Sequence, residues 1–236
     1  MLPNQPAESH LELTKIGPAG QSLGLRPGDK LVGLDGKPFV EGARAMARKF
    51  SPREDKKITM HFRRADIDLT VISVTAKLGR WRPCPAAGNA KITAVDSDKV
   101  DNWEILRAAD GTYDLFRHRV SPLSWMIPLL WLANMRLWPH MAGIVALVAL
   151  GWPAGIWAMV LLWFLGGAFV WRGYAQLIRS DRASRGMRPY AVIAADSEMA
   201  AHKAYLDMEP DDRFAFGKII LAKTPASTVR HAEASA

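Results

Sequence analysis

The sequence predicts a mixed chain: a small α+β domain first, then an apolar helical hairpin with short α/β flanks. Three observations predict it. Residues 121–171 are 51 positions with one formal charge, Arg136. The other 185 residues carry the remaining 30 Lys and Arg and all 23 Asp and Glu. Residues 10–80 alternate apolar and polar positions and turn at short intervals, as a small sheet domain does.

The apolar block is the strongest constraint. Soluble domains run at about 25% charged residues, so 51 positions on one charge call for a solvent other than water. The longest uncharged run is Leu137–Trp171, 35 residues, about 52 Å as one helix against a hydrocarbon core of about 30 Å. It must break, and Gly151-Trp152-Pro153-Ala154-Gly155 is the place. Two transmembrane helices are expected, over 131–151 and 154–173, with 121–130 as an interfacial segment. Trp152 is expected at one membrane face, and Trp171 with Trp131 or Trp138 at the other; Arg136 and Arg172 complete the interface anchors. Gly143, Ala146, Gly166 and Gly167 are positions where helices can approach closely.

Charge outside the block sets the orientation. Arg117, His118 and Arg119 precede it, and five arginines within 172–188 follow it. Cations at both ends are the positive-inside pattern, so both termini are expected in the cytoplasm. The N-terminus MLPNQPAESHLELTK has no basic and apolar leader of the secretory kind. The net charge of +8 is placed for membrane lipids and carries no nucleic-acid motif, so no nucleic acid is expected as a partner.

The first domain is read element by element. His10–Ile16 alternates as a half-buried strand, and Gly17-Pro18-Ala19 turns the chain. Leu23 and Leu25 lead into the tight turn Arg26-Pro27-Gly28-Asp29. Lys30–Leu34 is a short strand, closed by the hairpin signal Asp35-Gly36. Residues 41–50 place Ala43, Met46, Ala47 and Phe50 on one helical face. Lys57–Arg63 and Ile67–Val74 form two strands around Arg64-Ala65-Asp66.

The string IGPAGQSLGLRPGDKLVGLDGKPF, 16–39, resembles the core of a bacterial PDZ domain of the kind attached to HtrA-type and site-2-type proteases. The matching turn elements are Gly24, Leu25, Gly28, Asp29 and Gly36. Gly28 and Gly36 suit positive-φ positions, and Asp29 can accept from backbone amides. The resemblance implies capture of an extended peptide as an added strand beside the helix, with Met46, Ala47 and Phe50 lining the groove. The apolar-Gly-apolar loop of that family is missing from the first ten residues; Lys77-Leu78-Gly79-Arg80-Trp81 can supply it from the other end.

The remaining pieces follow. The first domain is taken as 1–80 and 81–101 as a linker, since Arg80–Ala90 is rich in Pro, Ala and Gly. The linker holds the single cysteine, Cys84, which excludes an internal disulfide framework and offers a maleimide reporter of topology. Residues 102–120 contain a hairpin around Asp110-Gly111, and 121–173 form the membrane unit. Residues 174–208 form a basic flank with a strand at Pro189–Ala194 and a helix capped by Ser197, and 209–236 a mobile tail. Residues 102–208 also resemble a bacterial inner-membrane family without known chemistry, through Ser124-Trp125, Leu129-Leu130-Trp131-Leu132, Arg136-Leu137-Trp138 and Arg185-Gly186-Met187-Arg188.

No HExxH, GxSxG or P-loop occurs, and the six histidines have no metal spacing. No catalytic residue, metal or cofactor is expected. The function expected is a membrane-anchored PDZ-like adaptor or scaffold in the inner membrane, multi-pass and non-catalytic, binding a partner membrane protein. The alternatives are an accessory or assembly subunit of a larger inner-membrane complex, or a substrate-presenting regulator of a membrane protease.

Overall fold

The computed structural model describes residues 9–50, 56–85, 92, 96–119 and 122–217. Alternation in the first segment produces β1 (Ser9–Ile16), whose Leu11 and Leu13 face the core. The Pro18-led turn becomes a short helix, α1 (Pro18–Ser22). β2 (Lys30–Leu34) and β3 (Lys37–Pro38) flank a hairpin in which Asp35 and Gly36 both take positive φ, +48° and +70°. That conformation turns two strands with the correct twist. α2 (Ala43–Lys49) follows, then the hairpin β4 (Ile58–Arg64) and β5 (Ile67–Ser73).

The next strand departs from the sequence reading. The end of the first domain and the start of the expected linker, residues 81–85, together form β6 (Gly79–Pro85), antiparallel to β1. The sheet order is β5-β4-β2-β1-β6, with β3 on β2. Pro83 and Pro85 suggest loop, yet proline is tolerated on a strand whose N–H side has no partner, and β6 is such a terminal strand.

The second sheet has the order β10-β8-β7-β9, from β7 (Asp101–Arg107), β8 (Thr112–Arg117), β9 (Arg188–Ala195) and β10 (Arg213–Phe214). Both its faces are covered. Ile105, Tyr113, Leu115 and Ile193 meet Ala201 and Tyr205 of α7 (Glu198–Leu206). Leu106 and Phe116 meet Trp131, Leu132, Ile178 and Met187. Neighbours Ile105 and Leu106 point to opposite faces, the period of a strand.

The second covering layer is helical. It contains α3 (Leu123–Met126), α4 (Pro128–Asn134), α5 (Trp138–Ala149), a single 3₁₀ turn at Trp152–Ala154, and α6 (Ile156–Ser184). Ile144 lies on Gly166 and Leu162 on Gly151, so α5 and α6 run antiparallel. The hairpin therefore exists with different arms from those expected. Its first arm is broken at Met135-Arg136 and restarted by Pro139, leaving 12 residues, about 18 Å. Its second continues past Arg172 for three further turns, because the residues after Trp171 become amphipathic and land on the sheet. Among the described residues one helix, Ile156–Ser184, is long and apolar enough to cross a membrane; α5 is not.

The two sheets share a boundary. Ala191 and Val192 of β9 sit in the first sheet's core. Arg64 donates to both Asp29 oxygens at 2.8 Å, to the Gly24 carbonyl at 2.8 Å and to the Tyr190 carbonyl at 3.4 Å. The Asn102 amide bonds the N–H and C=O of Ile72 at 2.9 and 2.8 Å, imitating a strand partner. The segment from 209 to 217, read as mobile tail, docks here as well. β10 runs parallel to β8, Tyr205 donates to Asp212, and Tyr190 donates to Glu209 at 2.6 Å. Residues 218–236 of that expected tail lie outside the described residues.

Candidate functional site

Two features stand apart from ordinary core and surface: the apolar end of the hairpin and the open edge of β6. At the hairpin's tip Leu150 and Trp152 are each 76% exposed, Ile156 66% and Trp157 82%. Val160, Leu161, Phe164, Leu165, Phe169 and Trp171 continue the exposed face along α6. A patch this long and without charge marks a contact surface, for lipid or for a partner protein. From Ile156 to Trp171 it is 16 residues, about 24 Å.

The base of the hairpin is ionic and mostly self-satisfied. Glu104, buried on β7, accepts from His118 Nε2 at 2.8 Å and from Arg179 Nε and Nη2 at 2.8 and 2.6 Å. Burial opposes its charge, but these donors outweigh it and hold the carboxyl below the usual carboxylate range. Arg182, 3% exposed, donates to Asp114 at 2.6 Å, to Asp181, and to the Met135 carbonyl at 3.0 Å. Burial pushes the Asp114 carboxyl up against the pull of Arg182. Arg185 adds a bond to Asp181 at 3.2 Å. Charge placement alone assigns the arginines of 172–188 to a lipid-facing flank; the structure commits three of the five to internal carboxylates. Arg172 and Arg188 have no ion-pair partner among the described residues.

The β6 edge follows from backbone phase. Leu13 donates its N–H to Asp29 O at 2.9 Å and accepts from Gly28 N–H at 2.8 Å, so its amide groups face β2. Its register partner on β6 is Trp81, whose N–H and C=O therefore point away from β1 to the unpaired side. The neighbouring Arg80 carbonyl faces β1, where Thr14 Oγ1 donates to it at 3.1 Å. Pro83 and Pro85 share the phase of Trp81 but have no N–H to offer. The Trp81 ring stacks on Phe62 at 6.2 Å, and its buried indole N–H has no partner among the described residues.

The remaining predicted residues fall as follows. Met46 is 2% exposed and belongs to the core, so it lines no groove. Ala47 is exposed, and Phe50 is half-buried against that core. Gly24 and Gly28 have φ of +64° and +94°; Leu25 is buried; Asp29 accepts from Arg26 N–H at 2.8 Å besides holding Arg64. Trp131, expected as an interface anchor, is buried in the helical core. Trp138, Trp152, Trp171, Arg136 and Arg172 are exposed. Gly166 and Gly167 serve contact within the chain, against Ile144 and Trp125. Cys84 is buried and burial pushes its thiol up, which makes it a poor maleimide reporter.

Sequence reasoning missed Glu104 and Asp114 as partners of Arg179 and Arg182. The signal available was an acid beside the apolar stretch of each strand, Glu104 before Ile105-Leu106 and Asp114 before Leu115-Phe116, with arginines about 70 residues further on. Among the described residues no group of three or more His, Cys, Asp or Glu is arranged to hold a metal ion. Compared with protein-family models, curated proteins and solved structures, the chain matches none.

Proposed function

We propose that the chain is a non-catalytic, membrane-anchored adaptor that takes an extended peptide as an added strand on β6. The observation that carries the reading is the outward N–H and C=O of Trp81 on a sheet fastened by Arg64 and Asn102 to the body that bears the apolar hairpin. The order strand, hairpin, helix, hairpin, returning edge strand supports the PDZ-like resemblance. Leu78, buried just before Gly79, supports the loop of that family lying at this end. Strand addition gives affinity through main-chain bonds, and anchoring raises the local concentration of a partner at the bilayer. In this reading the hairpin tip lies in lipid and both its bases lie on one side, because the arms are antiparallel.

A second reading, an accessory subunit whose hairpin is covered by other membrane proteins, is favoured by α5. Its length of about 18 Å falls short of the roughly 30 Å of hydrocarbon. The experiment is a screen of extended peptides against full-length protein in neutral detergent. Binding is expected to disappear in Trp81→Pro, with secondary structure retained. No binder, or full binding by this variant, overturns the adaptor reading. Release of the wild-type chain from vesicles by alkaline carbonate overturns the lipid anchor.

A further inference from the structure

Two helices of this protein end in the same backbone motif but with different residues. After α6, Gly186 takes φ +80° while Gly186 N–H bonds Ala183 O and Met187 N–H bonds Arg182 O. After α4, Arg136 takes φ +57° while Arg136 N–H bonds Ala133 O and Leu137 N–H bonds Leu132 O. This helix ending favours glycine at the left-handed position, because a Cβ is strained there. An arginine at such a place carries a backbone strain that glycine would not, which directs attention to its side chain.

The Arg136 side chain borders a cavity of about 410 Å³ between β8, α4 and α6. Arg117, Arg119 and Arg182 also line it, with Trp131 and Tyr174. Arg182 is matched by Asp114 and Asp181, and Arg117 by Asp101. Arg119 and Arg136 have no carboxylate partner among the described residues. Arg136 donates to the Phe216 carbonyl at 3.2 Å and lies over its ring, which leaves its charge uncancelled. Of the two acids on the wall, Asp114 is bound to Arg182, and Glu198 is mostly exposed, 3.8 Å from His202.

The position of the cavity fixes its chemistry. Tyr174 lies three residues beyond Trp171, the last exposed large apolar residue of α6, or about 4.5 Å along the helix. Arg136 lies two residues before Trp138, which is exposed at the foot of α5. The headgroup layer occupies about 5–7 Å outside the hydrocarbon. A bilayer that takes the hairpin therefore sets its phosphates at the level of this cavity.

We propose that the cavity is a binding site for one anionic phospholipid headgroup, its phosphate held by Arg119 and Arg136. The proposal rests on the lipid-anchor reading but is tested without it. Full-length protein in neutral detergent is titrated with short-chain phosphatidylglycerol, short-chain phosphatidylcholine or inorganic phosphate, and bound ligand is counted by native mass spectrometry. One phosphatidylglycerol per chain is expected, with at least tenfold weaker binding of phosphatidylcholine and of inorganic phosphate. Arg136→Gly should lose tenfold or more in affinity while its Tm holds or rises, because glycine suits that backbone; Arg119→Gln should lose a similar factor. Equal binding of the two lipids, equal binding of phosphate alone, or unchanged affinity in both variants overturns the site. Carbonate release of the chain would instead sink the anchor and leave this titration readable on its own.

Discussion

Arg182→Met removes the centre of the ionic cluster under the hairpin while keeping an unbranched side chain. The wild-type guanidinium is 3% exposed and bonds two carboxylates and the Met135 carbonyl. Asp181 would retain Arg185 at 3.2 Å, but among the described residues Asp114 would keep a hydrogen bond only from the Leu115 N–H at 2.9 Å, with Arg136 a more distant charge. One buried carboxylate is thus stripped of its cation, a change that costs about 3–5 kcal/mol. At roughly 2–4 °C per kcal/mol for a chain of this size, Tm should fall by about 6–20 °C. Thermal unfolding followed by near-ultraviolet circular dichroism in detergent reads the shift. The double variant Arg182→Met, Asp114→Asn should recover part of it, since the orphaned charge is then absent. A single variant that melts within about 2 °C of wild type would show that the cluster bears no weight in holding α6 to the sheet.

Other substitutions test other parts of the fold. Gly167→Ala would drive a Cβ far inside contact with the Trp125 carbonyl, so α3 must leave α6; a loss of about 1–3 kcal/mol in denaturant unfolding is expected. Met46→Arg places a charge where the core leaves 2% exposure, so the variant should fail to fold and be recovered only as aggregate. Acid should weaken the protein in two stages. Burial lowers the pKa of His61 and His202 below the ordinary 6.5. The unfolded chain therefore takes up protons first, and stability drops as pH falls below about 6.5. Glu104, held below its ordinary 4.5, adds a second loss as pH falls through that value. Tm should fall from pH 8 to pH 5 as the histidines' unfolded-state protonation takes hold, and His202→Gln should flatten that stage; at lower pH Asp114, pushed up by burial, works against the loss from Glu104.

Local signals in the sequence wrote most of the strands. The Asp35-Gly36 hairpin, the Asp110-Gly111 hairpin and the Ser197 cap, whose Oγ accepts from Ala200 N–H, all depend on neighbours within four residues. β6 was hidden because two prolines in seven residues resemble a linker unless the strand is known to be terminal. The hairpin arms were misplaced because Leu137–Trp171 is apolar throughout, and composition does not say where a helix restarts. The left-handed Arg136 that ends α4 leaves no mark in hydropathy. Arg179 and Arg182 read as lipid-facing because their partners, Glu104 and Asp114, stand 75 and 68 residues away in sequence. The apolar face read for 43–50 differs from the buried one: Ala45 and Met46 go inward while Ala47 is exposed, a choice set by the packing of α2 on the sheet.

The two prolines of β6 have a consequence for association. An unfinished sheet border invites a second copy to dock along its whole length, and a third onto that one. Here an incoming chain meets a donor at Trp81 but finds nothing to accept from at Pro83 or Pro85. The Pro83–Pro85 end of the strand therefore cannot template a full ladder, which works against edge-to-edge growth of one copy upon another.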